Sequence, residues 1–274
     1  MLFRSLVIAA LIGLPIMAAL IQLMAAGGSW WWIWAWVIWM GFQLLLMVIA
    51  PRFLLPLFNA FKPFEDQTIR PQAEALMESV GFKAKDFQVM DASRRSSHAN
   101  AFFTGLGSEK RVIFFDTLLE KLNAGEVIAV LAHELGHFKL NHVIKRIAVM
   151  FILSLGFLAL LGYLKNQTWF YLGLGVTPAL DTSNDAMALI LFMMALPVFT
   201  FLFSPLLSIT SRKNEFEADA FAAKHSNSQD LISALVKLYE DNASTLTPDP
   251  LHSAFYDSHP PAVLRIARLQ AHAR

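Results

Sequence analysis

The sequence predicts a mainly α-helical integral membrane protein: four transmembrane helices in two hairpins, and a water-facing domain containing a small β-sheet. Three observations predict it. Hydrophobic residues make up 56% of the chain and charged residues 16%, against about 45–50% and about 25% in a soluble domain. Four runs are apolar and long enough to cross a bilayer, for which about 20 residues suffice. Between and after these runs lie two segments, 51–146 and 208–274, that carry the charges, turn residues and amphipathic patterns of a folded domain. The net charge of +1 offers no electrostatic footprint for nucleic acid. Without cysteine there are no disulfides and no thiolate metal sites.

The elements follow in chain order. Ser5–Ala26 has Gln22 as its one strongly polar side chain, and Trp30–Ala50 has Gln43. The apolar core of the first run is too long for a cleaved signal peptide, and a second span follows at once. Ile147–Leu164 and Met187–Leu207 carry no charge. Arg4, Arg52, Lys62, Arg70, Lys145, Arg146, Arg212 and Lys213 collect on one side of these spans, whereas the loop 165–186 sets one lysine against Asp181 and Asp185. The basic side is the cytoplasmic one. All seven tryptophans fall in or near the opposite end, as an interfacial belt would, with Trp36 and Trp39 deeper. The expected organisation is a transmembrane hairpin over 1–50, a first part of the water-facing domain over 51–146, a second hairpin over 147–207 and a second part of the domain over 208–274. Both termini then face the cytoplasm.

In the first part, "PQAEALMESVGF" reads as an amphipathic helix ended by Gly81, and "DFQVMDA" as a short strand. Ala99–Thr104 and Arg111–Phe115 read as a hairpin joined by a Gly-rich turn. Asp116 is the expected N-cap of the next helix, and Asn123 or Ala124 starts the one after it. In the second part, "NEFEADAFAAKHSN" and "DLISALVKLYEDNAS" are helical by pattern.

"AVLAHELGHFKLNH" holds three of the eight histidines within ten positions. On a helix, His133 and His137 share a face, and Glu134 lies beside them. This H-E-x-x-H spacing supplies two zinc ligands and a general base. A catalytic zinc takes a third protein ligand and keeps one position open. His142 is nearest in sequence, but the metzincin spacing fails at Leu140 and Val143, so His142 is expected to be a polar residue near the helix end. The better candidate is Glu215 in "SRKNEFEADAFA". Asp219, four residues on and on the same face, would accept a hydrogen bond from the far nitrogen of a ligand histidine. Glu217 points elsewhere and is expected to face solvent.

With "LAHELGHFKLNH", "SRKNEFEADAFAAK", "SHPPAVLRI", "RRSSHANAFFTGLG" and "PLFNAFKPFED" in view, the chain resembles the membrane-embedded zinc metallopeptidases of the CAAX prenyl protease type I and HtpX-like group. The resemblance covers roughly Pro51 to Ala271, including the two spans between the motifs. It implies a zincin-like (gluzincin) catalytic domain on the cytoplasmic side. It implies one Zn2+ per chain, held by His133, His137 and Glu215, with Glu134 as the base and Asp219 as the helper of a ligand. It also marks Asn100, His259 and Arg265 as lining the active site. His259 is expected to stabilise the oxyanion, since Pro260 and Pro261 hold its backbone extended. Arg265 would support that site or bind substrate carbonyls. The strand edge at Ala99, Asn100 and Ala101 would take an extended substrate as an added strand. Seven-span members of the group carry further helices ahead of the position of Ser5.

The expected function is that of a zinc metalloendopeptidase acting on membrane-associated or lipidated proteins, in a bacterial inner (cytoplasmic) membrane. Its partners are a peptide or membrane-protein substrate and the lipid bilayer, with no nucleic acid. Two alternatives stand beside it. One is an intramembrane protease of the site-2 type, against which the charges at both ends of the motif segment speak. The other is a non-catalytic membrane scaffold with a structural metal, which would fill all four positions with protein ligands. A transporter fits poorly with four spans lacking intramembrane charge.

Overall fold

The computed structural model describes residues 2–83, 86–104, 110–241, 248–257 and 259–272, without the side chains of residues 2, 241 and 272. Helices α1 (Leu2–Ala26) and α2 (Trp31–Ile49) come first. A wide π-type turn over Ala50–Leu54 contains Pro51, whose missing N–H breaks the α-helical ladder. Then follow α3 (Leu55–Phe58), β1 (Phe61–Pro63), α4 (Ile69–Ser79), β2 (Asp86–Met90), β3 (Ala101–Thr104) and β4 (Arg111–Phe115). Next come α5 (Asp116–Lys121), α6 (Ala124–Lys139), α7 (His142–Leu164), α8 (Thr168–Gly173) and α9 (Asp185–Leu202). The chain closes with α10 (Ser204–His225), α11 (Ser228–Asp241), α12 (Pro250–Tyr256) and α13 (Ala262–His272). The Gly-rich turn at 105–109 and the end of the helix expected over 230–244 lie outside the described residues.

Two compact units emerge, 1–46 with 145–202, and 47–144 with 203–274. Their boundaries fall a few residues ahead of those expected at 50, 146 and 207. Among the described residues, α1, α2, α7 and α9 are the four helices long and apolar enough to cross a membrane. They meet around Met24, Trp31, Leu161, Leu164, Ala188 and Phe192. Phe3, Leu11, Ile152 and Met194 stay largely exposed, which suits side chains solvated by lipid rather than water. Two polar groups of this unit are satisfied inside it. The Trp36 indole donates to the Phe151 carbonyl at 2.9 Å, as a deep tryptophan must where no water is present. Lys165 donates to Asp185 at 2.9 Å and to the Met24 carbonyl at 2.7 Å. The one lysine of the loop 165–186 is therefore a tie between helix ends.

The fourth span expected to reach Leu207 ends at Leu202, and α10 begins at Ser204 with Pro205 in its first turn. Proline suits that position because its missing N–H needs no partner there. The third span begins earlier than Ile147, at His142.

The second unit packs a four-stranded sheet, in the order β1-β2-β4-β3, against helices. β3 and β4 form the expected antiparallel hairpin, β2 lies parallel to β4, and β1 is antiparallel to β2. Its core gathers Phe87 and Phe114 from the sheet, Leu131 and Leu135 from α6, Leu235 from α11 and Leu269 from α13. β3 is the end strand, and it starts at Ala101 rather than Ala99 because Asn100 turns its side chain back onto the Ala101 N–H at 2.8 Å. Asp116 is the first residue of α5 rather than its cap. Its Oδ1 accepts from the Ser93 and Thr117 N–H groups, both at 2.9 Å.

Candidate metal centre

The motif helix is fixed at its start. Asn123 and Glu126 form a reciprocal capping box on α6, which satisfies two of the orphan donors of a helix N-terminus. The Glu126 carboxylate also accepts from Ser233 at 2.6 Å and Lys237 at 2.7 Å, so α11 is bound to the same turn.

Further along, α6 meets α10. A Cβ on Gly136 would lie 3.0 Å from the Ala218 Cα and 3.1 Å from the Phe221 Cβ. Only a bare Cα on one helix and a methyl on the other permit this approach. Three residues before and one residue after the contact on each helix, His133 and His137 on α6 face Glu215 and Asp219 on α10.

The metal-ligating atoms converge. The two histidine Nε2 atoms are 3.1 Å apart, with Glu215 Oε1 3.3 Å from His137 Nε2 and Glu215 Oε2 3.6 Å from His133 Nε2. In a tetrahedron with zinc bonds of about 2.0–2.1 Å, neighbouring donors lie about 3.3–3.4 Å apart. Among the described residues, His133, His137 and Glu215 are the group whose ligand atoms come together in this way. Among the described residues Glu215 Oε2 is buried with no hydrogen-bond partner, its nearest cationic group being Arg265 Nη1 at 3.4 Å. Two imidazoles and a carboxylate oxygen with no hydrogen bond fit a divalent cation of zinc's preference for nitrogen and oxygen donors.

Behind the ligands stand orienting groups. His133 Nδ1 donates to Asp219 Oδ1 at 2.9 Å, leaving Nε2 as the lone-pair atom. Asp219 is in turn gripped by Arg265, with Nε–Oδ2 at 2.8 Å and Nη2–Oδ1 at 2.6 Å, a two-pronged charge-assisted pair. Arg265 is buried, and its Nη1 also lies 3.4 Å from Glu215 Oε2. Burial pushes the Asp219 carboxyl up, but hydrogen bonds from Arg265 and His133 outweigh this and hold it lowered to about 2. Burial likewise opposes Glu215, and the His137 contact with the charges of His133 and Arg265 lowers it to about 2.

Glu134 behaves in the opposite sense. Burial pushes its carboxyl up and the Glu215 carboxylate adds to this, only partly countered by His133 and His137. It shares a cavity of about 130 Å³ with Asn100, His133, Glu215, His259 and Arg265. Ala99 also lines this space. His259 Nε2 stands 3.5 Å from Glu215 Oε1 with 60% of its side chain exposed. Ala101 does not line the cavity: its side chain is in the core and its backbone is paired opposite Phe114. A larger cavity of about 930 Å³, lined by Ile209, Phe216, Pro261, Leu264 and Arg268, contains neither Glu134 nor the paired histidines.

Two expectations need correcting. His142 is buried, and its Nδ1 lies 3.0 Å from His137 Nδ1. Glu217 is half-buried and bonds His142 Nε2 at 3.0 Å. His142 was misplaced because α6 stops at Lys139 and Asn141 takes a left-handed φ of 58° before α7 begins, and Glu217 on α10 is drawn from solvent as the partner of His142. The turn carries His142 back beside His137. The signal was present as an asparagine after the last helical residues, a common left-handed helix terminator.

Comparison with known proteins agrees with this geometry. The model of peptidase family M48 matches residues 63–273. The chain belongs to peptidase family M48. Residues 1–60 match the family model described as CAAX prenyl protease N-terminal, five membrane helices. A CAAX prenyl protease 1 homolog of Arabidopsis thaliana is 40% identical over 259 residues, covering 93% of this chain and 60% of that protein. CAAX prenyl protease 1 of Saccharomyces cerevisiae is 36% identical, covering 83% of this chain and 53% of that protein. The crystal structure of S. mikatae Ste24p superposes with a TM-score of 0.90 at 32% identity, covering 98% of this chain and 65% of that one. This M48 chain thus spans about 60% of the length of such relatives. With its four apolar helices it is a multi-pass integral membrane protein. Family membership and the His133–His137–Glu215 group both point to a bound metal.

Gly136→Ala should force α6 and α10 apart, costing about 1–3 kcal/mol as an overpacked core does. Chemical denaturation in detergent is expected to show that loss together with reduced metal content; unchanged values for both would mean the contact does not set the site. For the metal-free protein, the lowered pKa of Asp219 has a definite sign. Its contribution is complete above the ordinary carboxyl value of 3.8 and is lost as pH falls toward about 2. Asp219→Asn should therefore be less stable than the parent above pH 4 and should show a shallower further loss on acidification, read from unfolding midpoints.

Proposed function

We propose that this chain is a zinc-dependent metalloendopeptidase, one Zn2+ per chain, that cleaves membrane-associated or lipidated proteins. The observation that carries this is the convergence of two imidazoles and one carboxylate with a second carboxylate, that of Glu134, lining the same cavity. Zinc held by His133, His137 and Glu215 would supply a water acidified to a pKa of about 7 and a Lewis acid for the scissile carbonyl.

The chain's own groups supply the remaining work. Glu134, with its carboxyl pushed up by burial, is tuned to take a proton from the attacking water and release it to the leaving amine. His259 enters the cavity from the loop ahead of α13 and is the donor for the developing oxyanion. Arg265 is committed to Asp219, so its role is to position His133 through that carboxylate. Asn100 and the edge of β3 would hold the substrate's main chain. Carbonyl and N–H groups alternate sides along an antiparallel strand. Asn100 O is bonded to Phe115 N on β4, so the Ala101 main chain faces the open edge; its N–H is held by Asn100 Oδ1, and its carbonyl is the group that would take a substrate N–H.

Prenylated substrates are proposed from the names of the relatives, CAAX prenyl proteases 1. The site-2 alternative is disfavoured because α6 is not among the four helices apolar enough to span a membrane. A structural metal is disfavoured because three residues, not four, make up the ligand group among the described residues. The relatives compared are eukaryotic, and none of them supports the bacterial inner membrane expected from the sequence alone. The location proposed is a multi-pass protein with its active site and both termini on the cytoplasmic side.

Glu134→Gln should retain about one zinc per chain and lose at least about 10²-fold in kcat on a prenylated peptide, whereas Glu215→Ala should lose the zinc itself. Zinc retained in Glu215→Ala, or activity retained in Glu134→Gln, would overturn the assignment. For topology, a reporter inserted in the loop 177–184 should read the side opposite to one fused after Arg274.

A further inference from the structure

His142 and Glu217 are two polar side chains that the proposed chemistry does not use, yet one is 3% exposed and both are turned toward the metal centre. His142 cannot join the same cation as His137. It meets His137 through Nδ1, on the side of the ring away from Nε2, and Nε2 is the atom that faces His133 and Glu215. The geometry points instead to a positioning relay: Glu217 fixes which ring nitrogen of His142 carries the hydrogen, and His142 does the same for His137, so that His137 presents a bare Nε2 to a metal.

The proton positions follow from the contacts. Glu217 Oε2 is an acceptor, so His142 Nε2, 3.0 Å away, carries a hydrogen. A neutral His142 then has a bare Nδ1, which accepts across 3.0 Å from His137 Nδ1–H. With its proton on Nδ1, neutral His137 has its lone pair on Nε2. Reversing the chain would place the proton on His137 Nε2, where it would block a cation, and would leave Glu217 facing a ring nitrogen with no hydrogen. Asp219 does the same for His133 in one step. Each ligand histidine therefore ends on a carboxylate of α10, His133 directly and His137 through a second imidazole. Loss of such an orienting partner commonly lowers metal affinity about 10–100-fold.

The relay rests on the metal reading above, and zinc affinity tests the two separately. Zinc binding would be measured on the detergent-solubilised chain 1–274 by competition with a chromophoric chelator at fixed pH, for the parent, Glu217→Gln, His142→Phe and the double variant. Lys213→Ala serves as the control, since Lys213 lies 3.8 Å from Glu217 Oε1 on the solvent side and touches no histidine of the relay. Glu217→Gln and His142→Phe should each weaken zinc binding roughly 10–100-fold, and the double variant should be no weaker than His142→Phe alone, because Glu217 acts through His142. The control should match the parent. Thermal unfolding of the metal-free proteins keeps the result readable: Glu217→Gln is isosteric and half-exposed and should unfold with the parent. Parental affinity in both single variants, or losses that simply add in the double variant, would overturn the relay while leaving the zinc site standing. A parent that binds no zinc would instead overturn the metal reading itself.

Discussion

Helices α6 and α10 touch where Gly136 lies against Ala218 and Phe221, and the absence of a Cβ at Gly136 sets how near they come. The rest of the site depends on that distance. His133 and His137 are held by one helix, Glu215 and Asp219 by another, and an apolar helical pair separates the two in sequence. Donor spacings of 3.1–3.6 Å are available only if the two backbones lie in contact. The capping box at Asn123 and the Glu126–Lys237 pair fix the start of α6, so the crossing point does not slide.

Electrostatics divide the acids of this site into two kinds. Asp219 and Glu215 lie beside Arg265 and the histidines and stay ionised well below the usual range. Glu134 lies one residue from His133 but in the same cavity as Glu215, and burial with a neighbouring negative charge raises it. Holding neighbouring carboxylates apart in pKa is how one site keeps ligands charged and a base ready to exchange a proton. Arg265 belongs to the first of these tasks.

Much of this was legible in the sequence. The four spans follow from apolar length, and the H-E-x-x-H spacing places two imidazoles on one helical face wherever that helix lies. The E-x-x-x-D spacing on α10 does the same for Glu215 and Asp219. Periodicity carries no information past a helix end, which is why His142 was misplaced: the left-handed residue at Asn141 starts a new helix with a new face, and the partner this gives Glu217 lies on another helix, where spacing along α10 cannot show it. Strand β1 was missed because Phe61–Pro63 is too short to show alternation. Ala101 was placed at the substrate edge as a main-chain contact; its side chain turns into the core, as every second residue of a strand does, while Asn100 lines the cavity.

The central claim is that a single cation joins the two separated stretches of chain. Anomalous diffraction at the zinc edge, on crystals of the zinc-loaded protein, tests it most directly. The account predicts one strong peak about 2.0–2.2 Å from His133 Nε2, His137 Nε2 and a Glu215 carboxylate oxygen. A peak elsewhere, or one ligated by four protein side chains, would contradict it.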